Sequence, residues 1–304
     1  HFQFKPNTQL TSVAGFVMED EERRGLVVDL EAGTEWTPDP PCLLPMAVST
    51  NSELVVLDAM TSCGDDFDVS SGLLDVTTGE LLIDLERRPF FKAFMSPERS
   101  DGQNYFVVSV GNQDIEIWFV DGSGRLATYS AEDLGVAGFL TLDISPDGRF
   151  LAIGPTDSHA IVIDVDRLIA GGSKEEAVVF NQEVSKDNVP QVRVTNEGIM
   201  ASIGFDGIYR VWDLDSGAIM FEIDASGMVA QGAARFTWDG TQLVYEDENE
   251  NIRWTPIDTD IVVETARNTV TRTLTDDECT QYLHTDGCEF EGPKTVKPKS
   301  ALGS

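Results

Sequence analysis

Asp143-Ile-Ser-Pro-Asp-Gly-Arg-Phe-Leu-Ala-Ile153, followed after a short polar stretch by Ala160-Ile-Val-Ile-Asp164, reads as three strands of one antiparallel sheet. Pro146, Asp147 and Gly148 supply the first turn: proline presets φ, and glycine accepts a positive one. The flanking runs are rich in Val, Ile and Leu, which suits strands covered on both faces. The same arrangement recurs downstream, in Gln191–Ile203 with Ile208–Gly217 and in Ala234–Tyr245 with Asn251–Trp254. More eroded copies lie upstream, beginning at Phe2, Met46 and Lys92. Third-strand landmarks fall at Asp29, Asp75, Phe119, Asp164, Asp213 and Thr255. First-turn landmarks fall at Pro6, Thr50, Pro97, Pro146, Asn196 and Trp238, and the two series share a period near 45 residues. A fixed period of this length is the mark of a repeat architecture. A fourth apolar segment follows in Leu81–Leu85, Ala177–Phe180, Ile219–Ile223 and Ile261–Glu264. The fourth copy inserts Asp166–Glu176, whose Gly171-Gly172-Ser173 reads as a loop or a short helical detour.

Four short strands cannot bury both faces of their own sheet, whereas sheets packed around an axis cover one another. The expected fold class is therefore all-β, a β-propeller of four-stranded blades over residues 1–265, followed by a short C-terminal helix and an extended tail. Six repeats are visible, either a complete ring or six blades of seven in a longer polypeptide. Residues 266–288 read as a capped helix docking on the propeller: Thr275-Asp-Asp-Glu278 is a capping box, with acids on the positive helix end. Residues 289–304 read as an extended Lys/Pro tail. Trp118, Trp212 and Trp254 occupy third-strand positions and are expected in the core, while Trp36 and Trp238 lie on turns and are weak candidates for a binding surface.

At Ser145-Pro-Asp-Gly148, Val211-Trp-Asp-Leu-Asp-Ser-Gly217, Leu73-Leu-Asp-Val-Thr-Thr-Gly79 and Val27-Val-Asp-Leu-Glu-Ala-Gly33 the chain resembles the WD-repeat β-propeller family. It departs from the strict pattern in lacking a Gly-His dipeptide, so the resemblance is to a divergent bacterial branch. Arg272, Leu274, Thr275, Glu278, Cys279, Tyr282, Leu283, His284 and Cys288 are similar to a tail that closes many bacterial, especially actinobacterial, WD-repeat proteins. The resemblance implies a C-terminal module of a larger signalling or regulatory protein.

Asp and Glu number 53 against 21 Lys and Arg, a net charge of −32. That balance argues against nucleic acid, whose phosphates need cations to displace their counterions, and against an anionic membrane surface. With the apolar residues committed to strands, most acids are expected on turns, blade edges and an outer rim, facing a basic or cation-bridged protein partner. The acidic runs Glu19–Glu22, Asp65–Asp68 and Glu246–Glu250 lack the spacing of a calcium loop. No nucleophile elbow, zinc-protease motif or phosphate loop is present. A carboxylate pair could serve glycoside hydrolysis, but with 53 acids spacing alone carries no weight. His159 reads as a turn residue and His284 as a helix-end residue. No catalytic, cofactor-binding or metal-binding residue is assigned.

Cys42 starts the first strand of the second unit and Cys63 follows its second strand, ends that a hairpin brings together. Cys279 and Cys288 flank the tail helix. Two local pairs favour disulfides and an oxidising, extracellular or cell-surface setting; free thiols in a cytoplasmic protein are the alternative. Lys294, Lys297 and Lys299 make the tail basic, a contact for an acidic surface of this chain or of a second copy. The leading functional expectation is a non-enzymatic protein-interaction module, a scaffold or sensor. The alternatives are a structural subunit of an extracellular assembly connected by its tail, and an enzyme with a site at the central channel.

Overall fold

The computed structural model describes residues 2–6, 11–19, 22–40, 42–59, 70–86, 88, 90–189, 191–224, 235–237, 241–246 and 251–257. They form six antiparallel sheets in which spatial order follows chain order. The first holds β1 (Phe2–Pro6), β2 (Ser12–Glu19), β3 (Glu22–Asp29) and β4 (Thr34–Trp36). The second holds β5 (Leu44–Val48), β6 (Leu54–Asp58), β7 (Gly72–Asp75) and β8 (Leu81–Asp84). The third holds β9 (Phe90–Met95), β10 (Tyr105–Val110), β11 (Asp114–Phe119) and β12 (Arg125–Ser130), and leads into a one-turn helix α1 (Ala131–Leu134). The fourth holds β13 (Phe139–Ile144), β14 (Phe150–Pro155) and β15 (His159–Asp164), then α2 (Val165–Ile169) and α3 (Lys174–Ala177), then β16 (Val178–Glu183). The fifth holds β17 (Gln191–Val194), β18 (Ile199–Ile203), β19 (Ile208–Asp213) and β20 (Ala218–Asp224). The sixth holds three described strands, β21 (Arg235–Phe236), β22 (Gln242–Glu246) and β23 (Ile252–Pro256).

The period of two along each strand explains why both parities are apolar. In β14, Leu151 and Ile153 join a core shared with the third sheet, while Phe150 and Ala152 join one shared with the fifth. In β10, Tyr105 and Val107 face the fourth sheet, and Phe106 and Val108 face the second. The sheets thus alternate with five apolar layers. Packing is close: a Cβ added to Gly154 would lie 2.5 Å from the Thr141 methyl and 2.7 Å from the Val189 carbonyl oxygen.

The Asp-x-x-x-Gly stretches close the third turn of three sheets in one way. Asp29, Asp75 and Asp213 each accept two backbone N–H groups at Oδ1, from the residues two and three positions on, at 2.7–3.2 Å. The amides of Gly33, Gly79 and Gly217 then donate to the same aspartates' carbonyls, with φ of 65°, 73° and 68°. Only glycine adopts that conformation without steric cost. In the fourth sheet the equivalent Asp164 caps α2 instead, and Ser173 with Glu176 forms a capping box for α3. The insertion is a helical detour whose Val165, Leu168 and Ala177 fill the neighbouring core.

A second recurrent device was not read from the sequence. Ser49, Ser96, Ser145, Thr195 and Thr237 each follow or nearly follow the first strand, one residue before the first-turn landmark. Each hydroxyl accepts the N–H that opens the second strand, at 2.9–3.3 Å. The same turns are tied to the preceding sheet. Thr11 donates to the Thr50 carbonyl at 2.7 Å, the Tyr105 hydroxyl to the Gly148 carbonyl at 2.8 Å, and the Asp147 amide to Asn196 Oδ1 at 2.9 Å.

One expectation needs correction. Trp212 is core, at 5% exposure, and Trp118 is partly buried, but Trp254 is 65% exposed on β23, the last described strand of its sheet. Three acids, Asp58, Glu116 and Asp164, are buried. Glu116 is held between Arg88 and Arg125 at 2.8 and 2.9 Å and accepts the Trp118 indole N–H at 3.0 Å. Burial opposes its charge, but Arg88 and Trp118 outweigh it and keep its carboxyl below the usual range. The proposed helix (266–288) and tail (289–304) lie outside the described residues.

Removing the Ser145 hydroxyl leaves the buried Phe150 N–H without its acceptor. Ser145→Ala is expected to cost about 1–2 kcal/mol, and Leu151→Ala, in the central apolar layer, about 3 kcal/mol. Urea unfolding midpoints check both.

Candidate functional site

The first strand of each sheet is an edge, with backbone groups on one side that its own sheet leaves unpaired. These edges are neighbours in space: β1 lies against β5, β5 against β9, β9 against β13, β13 against β17, and β17 against β21. Among the side chains described on these first strands three are charged, Lys92 on β9, Asp143 on β13 and Arg193 on β17. Asp143 accepts the Val194 amide of the next sheet's edge at 3.0 Å, capping a group that no ladder partner could satisfy.

The three charges do not pair. Arg193 donates from one terminal nitrogen to the Val192 carbonyl at 2.5 Å, while its Nε is buried without a partner. The Lys92 ammonium has no hydrogen-bond or ion-pair partner among the described residues. Gln191 Oε1, on the same face of β17 as Arg193, is also buried and unpartnered, as is the hydroxyl of Ser109, which stands opposite Lys92 in register. Each charged group is partly buried and retains some accessible surface. Desolvation dominates there. It pushes the Asp143 carboxyl up to about 6 against the pull of Arg193 and of the Val194 and Ile144 amides. It holds Lys92 below the ordinary lysine range, with repulsion from Arg193 adding to it, and lowers Arg193 despite Asp143.

Three other arginines are paired with carboxylates. Arg99 binds Asp101 and Asp166 at 2.8 and 2.6 Å and the Gly148 carbonyl at 2.8 Å. Arg149 binds Asp164 at 3.0 Å, and Arg210 binds Asp206 and Glu222, both at 2.8 Å. In so acidic a chain, counter-charges for Lys92 and Arg193 are abundant, and the fold supplies only Asp143. The cluster was not identified from the sequence. Its signal was present: counted back two positions from the recurrent Ser or Thr stand Ala47, Phe94, Asp143, Arg193 and Arg235, and counted back four stand Pro45, Lys92, Thr141, Gln191 and Ala233. The charges in these columns would have marked the first strands.

Of the residues singled out from the sequence, Cys42 is disulfide-bonded. The other three cysteines, Cys63, Cys279 and Cys288, lie outside the described residues, as do Lys294, Lys297, Lys299, Trp238 and His284. His159 opens β15 with Nδ1 3.2 Å from Asp157, whose carboxylate also accepts its amide. Trp36 packs partly buried on the core between the first two sheets. Among the described residues no group of three or more His, Cys, Asp or Glu is placed to hold a metal, and no helix is long and apolar enough to cross a membrane. No protein-family model matches the chain, and no curated protein matches it.

A carboxyl whose folded pKa is raised from 3.8 to about 6 favours folding when protonated. Its contribution is complete below the unfolded pKa and is lost as pH rises through about 6. Asp143→Asn is therefore expected to raise stability by roughly 2 kcal/mol above neutrality and to be nearly neutral at about pH 4. Denaturant midpoints at the two pH values check it, and destabilisation at high pH would contradict it.

Proposed function

We propose that the six sheets close into a β-propeller of divergent WD-repeat type, and that it serves as a non-catalytic protein-interaction module, a scaffold or sensor. Ring geometry is supported by the inner strands. Lys92 and Arg193 repel each other although a whole sheet separates theirs. Sheets stacked in a straight row sit about 10 Å apart, which would separate the two backbones by about 20 Å; sheets fanned about an axis bring their first strands together. Hydrogen bonds that tie three of the first turns to the preceding sheet fit such a rotation.

The observation that carries the interaction reading is on the outer strands. Leu81 and Leu82 on β8, and Ile219 and Met220 on β20, are exposed large apolar side chains at the rim. Exposed Glu80 and Asp84 flank the first pair, and exposed Glu222 and Asp224 follow the second. Apolar pairs set among carboxylates, on two separate edge strands, suit a protein partner that is apolar and basic, and an edge strand can accept a further strand. The disulfide at Cys42 favours an oxidising, extracellular or surface setting.

Selection of a displayed random-peptide library on the intact chain tests this. Enriched peptides are expected to interleave basic with apolar residues, to lose affinity with salt, and to bind about tenfold more weakly to Leu82→Asp or Met220→Asp. Failure to enrich any sequence, with turnover of glycan or ester substrates abolished by Asp143→Asn, would replace the reading with an enzymatic one.

A further inference from the structure

We propose that the open face of the sixth sheet is the docking site of this chain's own segment 266–288, which packs as a helix in the wedge between the sixth and first sheets. The inference rests on the ring reading above and goes beyond it by naming what fills the last interface. Two residues before the end of each third strand stands an apolar residue. In the first five sheets these are Val27, Leu73, Ile117, Val162 and Val211, which face the following sheet and are at most 3% exposed. The same position of β23 holds Trp254, which is 65% exposed, and Ile252 on the same face is 62% exposed. Val244, opposite Trp254 in register, continues that face and is half-buried. The first sheet has a matching open side. Ala14 and Val27 pack on the second sheet, while Val13, Leu26 and Val28 point the other way and are half-buried. Both faces are apolar, and no described sheet covers either.

Geometry and sequence choose the occupant. Sheets fanned about an axis diverge outward, so their third strands leave more room between them than their first strands do. The molecule already fills one such wedge with helices: Ala131 and Leu134 of α1, Val165 and Leu168 of α2, and Ala177 of α3 all join the layer between the third and fourth sheets. Segment 266–288 follows the sixth sheet in the chain. Its capping box, Thr275–Glu278, opens a helix on which Cys279, Tyr282 and Leu283 fall at i, i+3 and i+4, one apolar stripe. Leu274 precedes the cap and stands where a hydrophobic staple to Cys279 places it. So short a helix does not hold by itself in water, so it needs an apolar face as much as Trp254 and Ile252 need a cover. The ten residues before Thr275 span up to about 33 Å, and neighbouring strands lie about 4.8 Å apart, so the return from the outermost strand to β23 is within reach. A second copy is disfavoured as the occupant, because each chain carries a net charge of −32 and the two repel.

NMR of the intact chain, methyl-labelled at leucine and valine, tests this. The expected result is cross-relaxation from the Leu283 methyls to both the Trp254 ring and the Val28 methyls. The Trp254 indole N–H is expected to exchange at least about tenfold more slowly than in Leu283→Asp. Signals of the buried Trp212 that stay unchanged in that variant show that the helix has undocked while the sheets remain folded. Contact with Trp254 and none with Val28 would keep the docking site and overturn the ring on which the wedge rests. Direct contact of Trp254 with Val28, and none with Leu283, would keep the ring and overturn the occupant. A Trp254 indole that exchanges at the unprotected rate in the intact chain would overturn the docking, and so would protection that is lost on dilution, the mark of a second copy.

Discussion

Every sheet in this molecule must be covered on both faces, and the rest of the structure depends on that constraint. A strand turns alternate side chains to opposite faces. When both parities are apolar, as in Phe150–Ile153, one neighbouring sheet is insufficient. Leu151 and Ile153 pack toward the third sheet and Phe150 and Ala152 toward the fifth, so each sheet cements two interfaces. Burial at such interfaces contributes about 25 cal/mol per Å², which places most of the stability between sheets rather than within them.

Polar groups carry the geometry that apolar burial leaves undirected. The recurrent Ser or Thr at the end of the first strand fixes the first hairpin, and the Asp-x-x-x-Gly turn fixes the third. Both satisfy backbone N–H groups that would otherwise be buried or strained. Where the fourth sheet abandons the second device, Asp164 uses the same carboxylate to cap a helix, so one residue type at one repeat position supports two chain paths. Hydrogen bonds also tie three of the first turns to the preceding sheet. Apolar contact holds the sheets together, and these bonds set how they are rotated.

The first strands of the sheets depart from this pattern. Glu116 and Arg99 each meet an opposite charge within hydrogen-bonding distance. On β9, β13 and β17, Lys92, Asp143 and Arg193 form no ion pair with one another, and Arg193 Nε and Gln191 Oε1 are buried without a partner.

How much of this was legible in the sequence follows from which interactions are local. Strand positions, the first and third turns and the helical detour were readable because Pro146-Asp147-Gly148, Asp213–Gly217 and Gly171-Gly172-Ser173 act within a few residues of themselves. Repetition at a constant period then implied many sheets, each needing two neighbours. What the sequence by itself determined is therefore the repeated unit and its two-faced character. The exposure of Trp254, the burial of Glu116 between Arg88 and Arg125, and the meeting of Lys92, Asp143 and Arg193 were decided only by tertiary structure. Each depends on which residues, about 9 to 100 positions apart, come within a few ångströms, a consequence of how whole sheets are placed and of no local propensity.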